Sequence, residues 1–167
     1  FNAGDLAQAE TNLAAIPGDR DAILYLMERG MVRHLRHDYD GSTHDWLAAA
    51  AIGEKLETHS LTKAGVSLVV NDAALAFRGY PYERALLRVF TARNFLARAD
   101  WEDAAVEARN ALRVLENLDG FPDDAYSRYL AGLCLELAGD ADGAALQYRL
   151  AGTLADGAGI DETTGRF

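Results

Sequence analysis

A short turn between two helices recurs along the chain and constrains the fold more than any other feature. Each copy ends one helical run, passes through a turn of small and acidic residues, and opens the next helix. A turn of this kind at intervals of about 35 residues, with gaps, is typical of stacked helical hairpins, which usually present surfaces to other molecules. The two clear copies are Arg98–Ala104 and Ala138–Ala144, and the two weaker copies are Ala3–Ala9 and Arg36–Ser42.

The composition agrees with a helical domain and narrows the range of partners. The chain has 167 residues and only three Pro, and its stretches rich in Ala, Leu, Glu and Arg favour helix. No run reaches the roughly 18 apolar residues that span a membrane, and no signal peptide is visible at the start. A net charge of −10 argues against binding nucleic acids or anionic membranes and suits a basic partner or solubility.

Apolar periodicity and capping residues divide the chain into helices. We expect a single domain over residues 1–155, an insertion at 58–80, and a flexible tail or cut linker at 156–167. The chain opens in the middle of a repeat, which suggests a trimmed piece. The predicted helices run from Asp5 to about Ile16, from Asp19 or Asp21 to His37, from Asp40 or Ser42 to about Glu57, and from Pro81 to Leu118 with a turn at Ala99–Asp100. The last pair starts near Asp123 or Asp124 and turns at Gly139–Asp140.

The segment 58–80 interrupts the repeat and is a natural place for function. Ser60 could cap a short helix from Leu61 to about Ala76, or the β-branched run could form a strand that turns at Asn71–Asp72. We favour a helix followed by an irregular loop. Candidate binding residues in and near this segment, together with one later arginine, are Asn71, Asp72, Phe77, Arg78, Tyr80, Tyr82, Glu83, Arg84 and Arg109.

The repeated units resemble tetratricopeptide repeats. That family places small residues where the two helices of a repeat touch, large residues beside them, and a Gly-Asp or similar turn between the helices. The resemblance implies an all-α, right-handed stack of about seven to eight helices that binds proteins or peptides on its concave face. The matching residues are Gly132, Leu135, Gly139, Ala144, Tyr148 and Ala151; then Ala92, Phe95, Ala99, Ala104, Ala108 and Ala111; then Gly30, Trp46 and Ala49, although Arg33 replaces an aromatic; and finally Gly4, Ala9 and Leu13.

A narrower resemblance links four phrases of the chain to an uncharacterised bacterial family of tetratricopeptide-like proteins. Members of that family are often predicted lipoproteins of the cell envelope. The resemblance implies a location in the bacterial periplasm or at the outer membrane, through a lipidated N-terminus that this sequence lacks. The four phrases are 24–31, 70–72, 78–84 and 106–109.

Metal binding and catalysis have little support in the sequence. All four His lie between residues 34 and 59, and His37, Asp40 and His44 could converge on a metal ion, but solvated residues at a turn are the simpler interpretation. The segments 38–42 and 140–143 look like calcium loops yet lack the acidic residue at the twelfth position, so their acids are expected to cap helices. Neither a nucleophile motif nor a phosphate-binding loop is present, and no cofactor is expected.

Charged residues also lie inside apolar helical stretches, as Glu28-Arg29, Glu83-Arg84, and Glu107 with Arg109. Buried Glu–Arg pairs could lock the insertion onto the array, the charges could simply lie at the surface, or an arginine could bind a peptide terminus. The sequence therefore favours a non-catalytic scaffold that binds a protein or peptide. A metal-dependent envelope enzyme using the His/Asp cluster and a self-associating structural subunit are the alternatives.

Overall fold

The computed structural model describes residues 5–14, 21–63, 81–116 and 123–155. Within these residues the chain forms seven α-helices and no strand, which confirms the predicted all-α architecture of helical hairpins. None of the described helices has the length and apolar character needed to cross a bilayer. The helices are α1 (Leu6–Ala14), α2 (Ala22–Leu35), α3 (Tyr39–Lys63), α4 (Pro81–Ala97), α5 (Trp101–Glu116), α6 (Ala125–Leu137) and α7 (Ala141–Leu154).

Several helices begin where the capping residues predict. The carboxylate of Asp5 accepts a hydrogen bond from the backbone N–H of Gln8 at 2.8 Å, at the start of α1. The carboxylate of Asp124 accepts the N–H of Ser127 at 2.8 Å, at the start of α6. Pro81 occupies the first position of α4, where its missing N–H costs nothing because no intrahelical acceptor exists there.

The start of α3 differs from the prediction. The sequence suggests Asp40 or Ser42 as the cap, but the carboxylate of Asp38 accepts the N–H of Gly41 at 3.0 Å. Asp40 and Ser42 already lie inside the helix. Asp38 is the N-cap because it directly precedes the first helical residue. Only from that position can a short carboxylate reach the free N–H groups of the first turn.

The far end of α3 also differs from the prediction. The sequence predicts that the helix ends near Glu57 and that Ser60 opens a separate helix, yet α3 continues to Lys63 without a break. Residues 58–63 contain neither Gly nor Pro, so no strong local signal stops the helix there. The proposed short helix to Ala76, and its alternative as a strand turning at 71–72, extend into residues outside the described ranges.

The three turns between paired helices have the same backbone structure. In each, one residue adopts a positive φ and the following Asp donates its N–H to a carbonyl five residues earlier, which is the hydrogen-bond pattern of a Schellman motif. Two of the three left-handed positions are not glycine, so the motif is formed despite a steric cost. The positive-φ residues are His37 (63°), Ala99 (60°) and Gly139 (84°), and the N–H to O distances are 2.9 Å for Asp38, 3.0 Å for Asp100 and 2.9 Å for Asp140.

The chain divides into two compact units, residues 1–80 and residues 81–167. In the first unit α2 and α3 form a hairpin, and α1 packs against α2. In the second unit α4 pairs with α5 and α6 pairs with α7, and α6 also contacts both helices of the preceding hairpin. The second unit is therefore a stack of two hairpins, and each three-residue connection makes the paired helices antiparallel.

Small residues form the seam between the helices of each hairpin, as the sequence predicts. The indole of Trp46 lies directly against Gly30, and its Nε1–H donates to the Met27 carbonyl at 3.1 Å. The ring of Tyr148 lies in the same way against Gly132. In the remaining hairpin both equivalent positions are alanine and both are buried, namely Ala92 and Ala108.

In each hairpin, the residue just before the seam position of the second helix is polar and buried, and it bonds to an arginine of the first helix. Asp45 is 0% exposed, and its carboxylate accepts hydrogen bonds from Arg29 Nε at 2.8 Å, Arg29 Nη2 at 2.6 Å and Arg33 Nη1 at 3.0 Å. This bonding raises the pKa of the Arg29 guanidinium above its ordinary value. The equivalent contacts in the other hairpins are Arg88 Nη1 to Glu107 Oε2 at 2.9 Å and Arg128 Nη1 to Gln147 Oε1 at 2.8 Å. Internal Glu–Arg pairing thus occurs, but Glu107 pairs with Arg88 on the other helix.

Candidate functional site

Only part of the predicted binding cluster lies within the described residues. Tyr82, on α4, is 40% exposed and keeps its place as a candidate anchor. Glu83 and Arg84 are half-buried in the first turn of the same helix, and both have partners. The remaining members from the insertion fall outside the described residues, and they are Asn71, Asp72, Phe77, Arg78 and Tyr80.

Arg109 lies apart from these residues. Its Nη2 donates to Asp140 Oδ2 at 3.1 Å, which links α5 to the turn between α6 and α7. The bond from the Gly143 N–H, followed by the interaction with Arg109, lowers the pKa of Asp140 from its ordinary value. Arg109 therefore bridges two hairpins, and the structure does not bring it to Tyr82 through any described contact.

The three weak metal candidates are spread around the first hairpin. His37 Nδ1 lies 2.7 Å from the Tyr39 hydroxyl, while Asp40 and His44 are exposed on α3. Within the described ranges, no group of three or more His, Cys, Asp or Glu side chains is placed to hold a metal ion. Burial raises the pKa of the Cys134 thiol to about 12, as expected for a small side chain packed in the core.

One partly exposed apolar row of the second unit lies on α6. Tyr126, Tyr129, Leu133 and Leu137 recur at i, i+3, i+7 and i+11, which places them on one side of the helix. Tyr126 is 45% exposed and Leu137 is 43% exposed, and the two residues between them are half-buried. The opposite side of α6 is buried. These four residues are here called the α6 stripe; Tyr129 and Leu133 pack against the buried core, while Tyr126 and Leu137 are exposed.

The first unit repeats this arrangement on α2. Leu24, Met27, Met31 and Leu35 form the α2 stripe, and they have the same offsets from Gly30 that the α6 stripe has from Gly132. Leu24 is 39% exposed and Leu35 is 54% exposed, with the two methionines half-buried. The first helices of two separate hairpins therefore carry large apolar side chains, incompletely covered, at equivalent positions.

The remaining first helix, α4, carries a related stripe with one charge. Tyr82, Leu86, Phe90 and Arg93 fall on one side of α4 and are here called the α4 stripe. Arg93 directly follows the seam residue Ala92, as Met31 follows Gly30 and Leu133 follows Gly132. Its guanidinium carbon lies 5.2 Å from the centroid of the Phe90 ring, a cation–π contact. The helices α4 and α6 pack against each other, and their two stripes are together called the α4–α6 face.

The periodicity of these stripes is visible in the sequence. Leu24, Met27 and Leu35 fit a helical pattern, and a stripe of large apolar residues is usually the buried one. In the structure, the other side of α2 and α6 is buried and combines small residues with large apolar ones, such as Val32 on α2 and Leu135 on α6. The sequence feature that could have pointed to this surface is the high apolar content of α6, which leaves no side of the helix fully polar.

A comparison with protein-family models, curated proteins and solved structures finds no match for this chain.

Proposed function

We propose that this chain is a non-catalytic module of the tetratricopeptide-repeat type, in which each unit binds protein through an apolar surface of its own, the α2 stripe in the first and the α4–α6 face in the second. One observation carries the proposal. The stripes on α2 and α6 occupy equivalent positions in hairpins of two separate units, and both leave large apolar side chains 39–54% exposed. Equivalent placement in two hairpins favours a shared role over incidental exposure.

The chemistry of the two stripes suits protein recognition. Tyr126 and Tyr129 offer large rings with few rotatable bonds, a combination enriched among residues that dominate binding energy. Met27 and Met31 supply flexible apolar side chains that adapt to varied partners. Clustered exposed apolar residues on a folded protein commonly mark an interaction site, whereas single ones need no explanation.

The test begins with selection of ligands from a displayed library of random peptides on the immobilised protein. Recovered peptides are synthesised, and their affinities are measured by fluorescence anisotropy for the wild type and for a Tyr126→Ala/Leu137→Ala variant. We expect the variant to bind at least about tenfold more weakly, because it loses two anchors of the α6 stripe.

The matched control is a Leu146→Ala/Leu150→Ala variant on α7. Leu146 is 47% exposed and Leu150 is 37% exposed, so this variant removes similar apolar surface away from the stripes. We expect its affinity to stay within about twofold of the wild type. Failure to enrich any peptide, or an equal loss in both variants, would contradict the proposed function.

A further inference from the structure

We propose that the α4–α6 face binds an amphipathic helix of a partner protein, whose apolar side carries one Asp or Glu that pairs with Arg93 and whose polar side is basic. This inference rests on the proposed function and adds the shape and charge of the ligand. It is drawn from the environment of Arg93, the chemistry of the surrounding surface, and the net charge of the chain.

Arg93 differs from most described arginines in its surroundings. It is half-buried and contacts the Phe90 ring, yet no carboxylate among the described residues lies within 4.0 Å of it. On the neighbouring helix Glu136 accepts a hydrogen bond from the Tyr148 hydroxyl at 2.8 Å. Described arginines that pair with a carboxylate include Arg29, Arg33, Arg36, Arg88, Arg98, Arg109 and Arg128.

A ligand that covers this face must provide an acceptor for Arg93. Tyr82, Leu86 and Phe90 share its side of α4, so a ligand seated on them removes water from the guanidinium. A cation that loses water without gaining an acceptor opposes binding. A carboxylate on the apolar side of the ligand restores those hydrogen bonds and adds a charge-assisted pair.

The same surface favours a helical ligand over an extended one. The backbone of α4 and α6 is bonded within the helices, and the two stripes offer few polar groups other than tyrosine hydroxyls and Arg93. An extended peptide lying on them would bring unbonded backbone N–H and C=O groups out of water, which is unfavourable. A helix satisfies its own backbone and presents side chains at i, i+3, i+4 and i+7. The α6 stripe spans about 16 Å, which matches about three turns of such a helix.

The net charge of the whole chain indicates the sign of the charge on the polar side of the ligand helix. The chain carries a net charge of −10, so a basic polar side is attracted at long range while the single acid acts only at close contact. The predicted ligand thus has a charge of one sign on its apolar side and the opposite sign on its polar side. This pattern separates it from a simple acidic peptide.

The experiment uses a designed peptide of about 18 residues, with Leu at i, i+3 and i+7, one Glu on the same side and Lys on the other. Its matched partner has Gln in place of that Glu. Affinities for the full chain are measured by fluorescence anisotropy in a double-mutant cycle with Arg93→Gln. We expect the Glu peptide to bind the wild type about tenfold more tightly than the Gln peptide, and Arg93→Gln to reduce that ratio below about twofold.

Two controls protect the conclusion. Arg149→Gln, which removes an exposed arginine of α7, should leave the tenfold ratio intact, and thermal unfolding should show that both variants are folded. A peptide with Pro in its middle turn should bind at least about tenfold more weakly than its parent, since it cannot stay helical. An unchanged ratio in Arg93→Gln, or undiminished binding of the Pro peptide, would overturn the inference.

Other outcomes assign the face to a different occupant and also overturn the inference. Dimers in sedimentation velocity that dissociate in Arg93→Gln would indicate a second copy of this chain. Tighter peptide binding by a chain ending at Ala155 would indicate that residues 156–167 occupy the face. If library peptides bind through the stripes but are extended or lack the acid, the proposed function stands and this inference fails.

Discussion

The close approach of Tyr148 to Gly132 predicts that one added methyl group will destabilise the second unit. A Cβ at position 132 would lie 2.7 Å from both Cδ1 and Cε1 of the Tyr148 ring and 3.3 Å from the carbonyl oxygen of Ala144. The ring cannot easily move away, because its hydroxyl donates to Glu136 at 2.8 Å and its centroid lies 5.5 Å from that of Tyr129. Gly132→Ala must therefore shift the two helices apart.

The expected magnitude is the difference between two opposing effects. Overpacking of a tight contact costs about 1–3 kcal/mol, and the rigidity of this seam places Gly132→Ala in the upper part of that range. Alanine gains about 1 kcal/mol over glycine in a helix interior. We therefore expect Gly132→Ala to lower the free energy of unfolding by about 1–2 kcal/mol.

Gly53→Ala is the matched control. Gly53 also lies inside a helix, but the nearest atom to its added Cβ is Ile23 Cδ1 at 4.0 Å. Only the helix-propensity gain remains, so Gly53→Ala should raise the free energy of unfolding by roughly 0.5–1 kcal/mol. Urea unfolding followed by circular dichroism measures both variants. Because the chain has two compact units, Trp46 and Trp101 fluorescence serves to assign the transitions.

A second background tests the cause of the effect. In a Tyr148→Leu chain the ring is absent, so adding Gly132→Ala should cost at least about 1 kcal/mol less than it does in the wild type. If Gly132→Ala stabilises the protein as much as Gly53→Ala does, the seam is not tightly packed and the reasoning is wrong.

Three further predictions concern the turns and the polar cross-links. Ala99→Gly should raise the free energy of unfolding by roughly 0.5–1 kcal/mol in urea melts, because φ is +60° at this residue and glycine adopts such values without strain. Asp45→Ala should lower it by about 3 kcal/mol, since two arginines lose the carboxylate that lies between them. Asp140 has a lowered pKa in the folded state, so its contribution is present at neutral pH and is lost as the pH falls through that pKa. Wild-type stability should therefore decline more steeply below about pH 4 than that of Asp140→Asn, as measured by thermal melts across pH.

Each of these predictions has a result that contradicts it. A lower free energy of unfolding for Ala99→Gly than for the wild type would mean that the left-handed turn is not populated. An Asp45→Ala variant as stable as wild type would show that Arg29 and Arg33 are fully hydrated without their partner. Parallel pH profiles for Asp140→Asn and wild type would show that the bonds from Gly143 and Arg109 do not favour the charged carboxylate.

The candidate site shows the limits of reasoning from periodicity. The sequence identifies Tyr82 as an anchor because it borders an irregular segment, and the structure leaves it 40% exposed. Helical spacing puts Leu24 and Leu35 in one apolar stripe and Leu133 in another, yet the structure leaves Leu24 39% and Leu35 54% exposed while Leu133 packs against the core. Spacing alone does not state how far each member of a stripe is covered, because that depends on the helices packed around it.

The sequence by itself determined that the chain is helical, that the helices pair into hairpins, and which small residues form the seams. These features depend on neighbours in the chain, such as the Asp that follows each left-handed residue and the three-residue connection that makes a hairpin antiparallel. Only the tertiary structure decided which side of α6 faces outward and that Glu107 pairs with Arg88. Both outcomes depend on residues brought together from different helices, and an apolar pattern on both sides of one helix does not state which side is covered.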